Sequence, residues 1–282
     1  MSKITELFGY CTLDPSLETD EWINIVEYQI CPYTGKKCFK TRKSTPGISI
    51  GTCTLIHSNE NVIICPNRLL EKKQVFMDCI HLLKLHEPGN ELHVVPEISI
   101  PGGSVDFILA STKKGKVVDF VGIEFQTMDT TGTVWPERQR LLIELGVIES
   151  DPDAGSKKPF GMNWKMTAKT ILIQMHHKSQ TFENLGKHLV LIIQKPFLEY
   201  MKQEFDFSLI NDVSDSDAVQ IHSYDLIPEH GNYKLSLDER ISTNSIGISK
   251  CLGLNADQGV SFDEMANLVE SKISDMTLLT LD

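Results

Sequence analysis

Apolar residues along this chain follow both strand-like and helix-like spacing. The runs VDFILA (105–110) and VVDFVGIEFQ (117–126) are rich in β-branched and aromatic residues and predict two strands, joined by the polar turn STKKGK. KHLVLIIQK (187–195) contains a continuous run of apolar residues, which is typical of a buried central strand. These three runs predict the core of a sheet.

The remaining apolar positions predict helices around that sheet. Helical spacing is found at 69–85, 136–145, 163–178 and 262–273, and a further strand is expected at 219–226. Strand, strand, helix and strand in this order indicate a mixed α/β (α+β) core with a mixed central sheet flanked by helices.

Polar residues interrupt the two paired strands. Asp106 lies in the first, and Glu124 and Gln126 lie in the second, where residues two apart share a face. Carboxylate and amide oxygens of this kind suit Mg²⁺, which binds through one or two carboxylates. The alternative is a pair of solvated carboxylates at strand ends. The apolar surroundings favour the metal site, because a buried carboxylate is costly unless it is paired or binds a metal ion.

Four of the seven cysteines fall in one loop-rich segment near the start of the chain, at Cys31, Cys38, Cys53 and Cys65. The segment has too few apolar residues to form its own core, so a structural metal ion is expected there. Four thiolates suit zinc or iron. The alternative is four buried structural thiols.

The charge of the chain is unevenly distributed. The net charge is −11 in 282 residues, and residues 203–282 hold 15 acidic and 4 basic residues, so the rest of the chain is neutral. Local basic clusters permit DNA binding without establishing it. No apolar run is long enough for a membrane span and the N-terminus lacks a secretion signal, so a cytoplasmic protein without membrane contact is expected.

The amino-acid sequences of these motifs resemble those of the NotI family of type II restriction endonucleases. The similar strings are CPY at Cys31, CPNR from Cys65, EISI from Glu97, VDF around Asp106 and EFQTMD from Glu124. The likeness extends over roughly residues 7–195. CPNR and EFQTMD are its most specific parts.

The resemblance implies a PD-(D/E)xK-type nuclease core. Asp106 and Glu124 would be Mg²⁺ ligands, Gln126 would replace the usual lysine, and Glu97 would be an additional catalytic acid. The four cysteines would form a structural iron site, with zinc as the alternative. Residues 1–68 would then be the N-terminal segment and four-cysteine module, and residues 69–282 the catalytic domain with an acidic C-terminal part.

The expected function is Mg-dependent cleavage of double-stranded DNA at a palindromic, GC-rich site by a homodimer. A cognate DNA methyltransferase is expected as a genetic partner, without physical association. Two alternatives are another metal-dependent nuclease, for repair or mobile elements, and a non-catalytic DNA-binding protein with a structural metal site. The candidate DNA contacts are Lys40, Arg42, Arg68, Arg138 and Arg140.

Overall fold

A computed structural model describes residues 2–42, 45–156, 158–254 and 262–272. The strands of these residues are β1 Ile4–Leu7, β2 Tyr10–Cys11, β3 Thr41–Arg42, β4 Thr45–Ser49, β5 Thr52–His57, β6 Glu60–Ile63, β7 Glu91–Ile100, β8 Gly103–Lys113, β9 Lys116–Phe125, β10 Thr130–Thr131, β11 Gly161–Met162, β12 Leu189–Gln194, β13 Asn211–Asp212, β14 Val219–Glu229 and β15 Asn232–Thr243. Their α-helices are α1 Thr19–Tyr28, α2 Gln74–Met77, α3 Trp135–Glu144, α4 Trp164–Leu185, α5 Lys195–Glu204, α6 Ser245–Cys251 and α7 Phe262–Glu270.

The largest sheet of the described residues has seven strands in the order β13-β15-β14-β12-β9-β8-β7. Strand β12 runs parallel to both β9 and β14, whereas the other neighbouring pairs are antiparallel. All six residues of β12 are buried, as its continuous apolar sequence predicts. The mixed α+β class with a mixed central sheet is therefore confirmed.

Two apolar layers cover the faces of this sheet. On one face, Ile171 and Met175 of α4 pack in the same cluster as Leu191 of β12. On the other face, the segment between β6 and β7 contributes Val75 and Phe76 to a second cluster, which includes Ile123 and Ile192. The central strands are thus sandwiched, and their apolar side chains alternate between the two layers.

The N-terminal part forms a smaller sheet in the order β2-β1-β5-β6, which is attached to the large one. The side-chain amide of Gln194, at the end of β12, donates to the Ile63 carbonyl at 2.8 Å and accepts from the Ile63 N–H at 2.7 Å. Leu55 and Val62 belong to the main core cluster. The two parts share one core, and the division at residue 68 stays a prediction.

The continuous helix predicted over residues 69–85 is wrong. The segment contains a 3₁₀ stretch at Pro66–Lys73, the short α2 and a second 3₁₀ turn at Ile80–Leu82. The interruption falls at Glu71 and at Lys72, which has a positive φ. There the Glu71 carboxylate accepts from the nearby Arg68 and from the Leu235 N–H of β15, so this segment is tied to a distant strand where the helix was predicted to continue.

The other predicted elements differ mainly in their ends. Helix α4 continues to Leu185, β14 continues to Glu229, and α7 ends at Glu270, while residue 273 lies outside the described residues. Strand β15, helix α5 and the strands of the N-terminal sheet were not predicted. Within the described part of the chain, no helix has the length and apolar character needed to cross a membrane.

Candidate active site

Asp106 and Glu124 lie on neighbouring strands of the large sheet. The register of β8 and β9 pairs Phe107 with Ile123, and its continuation places Asp106 opposite Glu124. The Phe125 N–H donates to Asp106 Oδ2 at 2.8 Å, which fixes the Asp106 carboxylate against β9. Both acids border a cleft of about 270 Å³, whose lining is Gly102, Gly103, Ser104, Asp106, Glu124, Phe125, Gln174 and Lys178.

Lys178 of α4 completes this cleft, although the sequence did not indicate it. Its Nζ donates to Glu124 Oε1 at 2.7 Å, and the residue is only 4% exposed. Gln174, one helical turn earlier, lines the same cleft. The available signal was a lysine four residues after Gln174 on a helix predicted to flank the sheet. That signal could not be used without knowing which face of the helix meets the sheet.

The Glu124 carboxyl is electrostatically unusual. Burial raises its pKa to about 7, although the hydrogen bond from Lys178 opposes this effect. The neighbouring charge of Asp106 raises the pKa further. A positive ion between the two carboxylates would relieve both burial and repulsion, because an opposite charge favours the ionised form.

Neither Gln126 nor Glu97 lines this cleft. Strand β9 ends at Phe125, although the Gln126 N–H still donates to the Ile192 carbonyl of β12 at 3.0 Å, and Gln126 Nε2 donates to the Thr127 carbonyl at 2.6 Å. The β7–β8 register places Glu97 across from Asp106, but Glu97 is exposed and has a φ of 53°. This backbone conformation is uncommon for a residue with a side chain and interrupts the alternation of β7.

The four N-terminal cysteines are neighbours in the fold. Cys53 and Cys65 share a thiol hydrogen bond, which lowers the pKa of Cys65 to about 6 and, together with burial, raises that of Cys53. Burial also raises the pKa of Cys38, and the nearby Cys65 and Cys31 add to this rise. The donor set is therefore all thiol, with one pair of thiols in direct contact.

No group of three or more His, Cys, Asp or Glu side chains within the described ranges has the spacing needed to hold a metal ion. For the acid pair this agrees with the chemistry of Mg²⁺, which needs only one or two protein carboxylates and keeps several waters. The donors of Asp106 and Glu124 fit such an ion. The four thiols are suitable zinc or iron donors by chemistry, but their present spacing does not form a four-ligand site.

The candidate DNA contacts divide into buried and accessible side chains. Arg68 is 1% exposed and is ion-paired with Glu6 and Glu71, and Arg138 is 2% exposed and donates to the Ile50 carbonyl. Burial lowers the pKa of Arg138 to about 10. Because both guanidinium groups are enclosed in the protein, they have no free face for DNA.

The other three candidates are only partly committed to contacts within the protein. Lys40 Nζ donates to the Ile64 carbonyl at 2.6 Å, and Arg42 pairs with Asp153 at 2.8 Å. Arg140 pairs with Glu137 at 2.7 Å. Each keeps part of its surface exposed. These three stay candidates.

Two carboxylates on adjacent strands, with an ammonium group over them, define a site of the kind that binds divalent cations and handles phosphoryl groups. The model of the family described as restriction endonuclease NotI matches residues 29–235, a span that includes the four cysteines and the acid pair. The chain belongs to this family. Membership implies a type II restriction endonuclease with DNA as substrate and a divalent metal ion as cofactor. A search of curated proteins found no match.

Proposed function

We propose that this type II restriction endonuclease cleaves double-stranded DNA at a palindromic, GC-rich site by Mg-dependent phosphodiester hydrolysis on a PD-(D/E)xK-type core. The observation that carries the proposal is the pairing of Asp106 and Glu124 across β8 and β9 in one cleft, within a chain of this family. Glu124 is buried beside a second carboxylate, an arrangement that favours a bound cation.

In this proposal Asp106 and Glu124 hold Mg²⁺, which when bound polarises the scissile phosphate and favours ionisation of the attacking water. The Phe125 N–H keeps the Asp106 carboxylate in place. Gln126 orients the water by hydrogen bonding, because an amide does not take up a proton at neutral pH. Glu97, across from Asp106 in the sheet register, would act as an additional acid on binding of DNA.

We also propose that Cys31, Cys38, Cys53 and Cys65 bind iron, with zinc as the alternative, as a structural site. The support is the thiol contact between Cys53 and Cys65 and the position of Cys38 near both Cys65 and Cys31. Metal analysis of the purified protein tests this proposal. Retention of the metal after substitution of Cys65 by Ser would count against it.

A palindromic site calls for two copies of the reading surface, so the proposed active form is a homodimer. Its proposed DNA contacts are Lys40, Arg42 and Arg140, which are partly exposed. The methyltransferase that would protect host DNA is proposed as a genetic partner, without physical association.

The decisive experiment is incubation of the protein with plasmid DNA and Mg²⁺, followed by sequencing of the cut ends. We expect one palindromic sequence at every end, and no cleavage by Asp106→Ala. Cuts without a shared sequence would indicate a repair or mobile-element nuclease instead. Specific DNA binding without cleavage, unchanged in Asp106→Ala, would indicate a non-catalytic DNA-binding protein.

The role of Gln126 is tested separately. Gln126→Ala should bind DNA normally and cleave it more slowly, because its proposed contact is with the attacking water. Normal cleavage by this variant, when Asp106→Ala and Glu124→Ala are inactive, would remove Gln126 from the mechanism.

A further inference from the structure

Helix α4 brings a lysine into the cleft that holds the acid pair. Lys178 Nζ lies 2.7 Å from Glu124 Oε1, and both side chains are buried. Of the residues that line the cleft, as far as the chain is described, Lys178 is the one with a positive charge. The position of this ammonium group is therefore a feature of the candidate active site itself.

Close packing against glycines fixes that position. The ring of Phe182 occupies the place where a side chain on Gly122 of β9 would lie, so this ring packs directly on the β9 backbone. Lys178 precedes Phe182 by one helical turn and thus lies over Glu124, two residues after Gly122. A Cβ on Gly103, which has a φ of +136°, would be 3.3 Å from the Lys178 Cε atom. Gly103 therefore leaves space for the Lys178 side chain, and Gly122 leaves space for the Phe182 ring one turn further along the same helix.

The hydrogen-bonding capacity of Lys178 is incompletely used. An ammonium group has three N–H donors, and among the described residues Nζ has one hydrogen-bond acceptor, Glu124 Oε1. A buried ion pair seldom improves stability over apolar residues of similar size. Lys178 is a buried cation that borders a cleft and has unused N–H donors. Its position is thus better explained by binding of a ligand than by a contribution to the stability of the fold.

The reaction also needs a positive group at this place. Cleavage builds negative charge on the scissile phosphate, and fixed donors in a poorly solvated site stabilise it strongly. The strand position at which PD-(D/E)xK-type sites hold a lysine is occupied here by Gln126, which is uncharged and donates to the Thr127 carbonyl. Gln126 cannot replace the charge of an ammonium group.

We propose that Lys178 is a catalytic residue, which pairs with Glu124 in the free protein and donates hydrogen bonds to a non-bridging oxygen of the scissile phosphate in the DNA complex. The ammonium group remains protonated throughout, so no proton or electron is transferred through it. This inference rests on the proposed nuclease function. It adds a residue from outside the strand motif to that function.

The test compares Lys178→Met with Lys178→Arg, and uses Lys169→Met as the matched control, because Lys169 is an exposed lysine of the same helix. Single-turnover cleavage of plasmid in saturating Mg²⁺ should slow by about 100-fold or more in Lys178→Met, the usual effect of losing one transition-state donor. Lys178→Arg should recover part of the rate, and Lys169→Met should match the wild type. Binding of the mapped duplex in Ca²⁺ should change by less than about threefold in all three variants, because each phosphate contact adds little to total affinity.

A second measurement does not depend on cleavage. Calorimetric titration of the DNA-free protein with Mn²⁺ should give tighter binding in Lys178→Met than in the wild type, since the acid pair is no longer neutralised. Lys169→Met should again match the wild type. If Lys178→Met does not fold, Lys178→Gln serves in both assays, because its amide can still contact Glu124 but carries no charge.

The outcomes separate this inference from the function on which it rests. Wild-type cleavage that is lost in Asp106→Ala but retained in Lys178→Met would overturn the role of Lys178 and leave the nuclease proposal intact. Equal Mn²⁺ affinity in Lys178→Met and the wild type would overturn its pairing with a metal-binding Glu124. If the wild type cleaves no DNA in Mg²⁺, the proposed function itself fails, and this inference fails with it.

Discussion

Two buried ion pairs of this protein, Arg68–Glu6 and Lys178–Glu124, differ in how completely they are satisfied. Both oxygens of Glu6 accept from Arg68 Nε, at 3.0 and 2.8 Å, and the hydroxyl of Thr54 also donates to this carboxylate. The remaining nitrogens of Arg68 donate to Glu71 and to the Tyr233 carbonyl. This pair is enclosed and joins the N-terminal sheet to β15.

The Lys178–Glu124 pair has the opposite character. It has one hydrogen bond between the two side chains, borders a cleft and faces a second carboxylate, Asp106. Burial raises the pKa of Glu124 to about 7 despite its cationic partner. A buried charged group whose hydrogen bonds are all made within the protein has a structural role. A buried charged group that has unused donors or acceptors and borders a cleft is suited to bind a ligand.

The largest expected difference between the two pairs is in activity. Glu124→Ala should reduce single-turnover cleavage by at least about 1,000-fold, because loss of the proposed metal ligand would remove several kcal/mol of transition-state stabilisation. Glu6→Gln, assayed below its melting temperature, should cleave at nearly the wild-type rate. A comparable loss of rate in folded Glu6→Gln would contradict the distinction between the two sites.

The free energy of unfolding should depend more on the Arg68–Glu6 pair than on the Lys178–Glu124 pair. Arg68→Met leaves Glu6 buried without its cation and should cost about 3–5 kcal/mol in the free energy of unfolding. Lys178→Met should cost less, because water can reach Glu124 through the cleft. Urea unfolding of the metal-free proteins measures both values. Equal losses would show that the cleft pair is as structural as the enclosed one.

The turn between β7 and β8 should affect the cleft pair selectively. Gly102 has a φ of +94°, and a Cβ there would overlap the His177 carbonyl of α4. Gly102→Ala should therefore shift the turn away from Lys178 and slow cleavage by about tenfold, the effect of roughly 1.4 kcal/mol. Gly115→Ala is the matched control, because Gly115 has a φ of +74° with open space around it. Equal effects of the two substitutions on cleavage would exclude a specific role of the turn.

The smallest expected effect is on the pH dependence of stability. The pKa of Glu124 rises from 4.5 to about 7 on folding, so its contribution to stability is complete below pH 4.5 and is lost as the pH rises through 7. Glu124→Gln lacks this titration. Its Tm relative to the wild type should rise between pH 6 and 7 by about 2–4 °C, the shift that about 1 kcal/mol causes in a chain of this size.

Thermal melts in EDTA across this pH range measure the effect. The informative quantity is how the Tm difference between Glu124→Gln and the wild type changes with pH. A constant Tm difference is not informative, because the loss of the ion pair with Lys178 lowers Tm equally at all these pH values. Parallel melting curves for the two proteins would contradict the raised pKa.

The sequence by itself determined the elements whose pattern is local and strong. The apolar runs that became β8, β9 and β12 needed no tertiary information, because strands buried on both faces are marked by composition alone. Asp106 and Glu124 were visible because each interrupts such a run. Family membership followed from short strings around these two acids, around Glu97 and around Cys31 and Cys65, and was confirmed over residues 29–235.

Only the tertiary structure decided the features that depend on which surfaces meet. The segment at 69–85 lost its predicted helix because Glu71 bonds to Arg68 and to β15. Arg68 and Arg138 resemble DNA-binding residues in the sequence but are enclosed in the fold. Lys178 lies 54 positions from Glu124, and a pairing over that distance has no local pattern. The packing of the Phe182 ring on Gly122 brings the two residues together, and that contact exists only once the helix packs on the sheet.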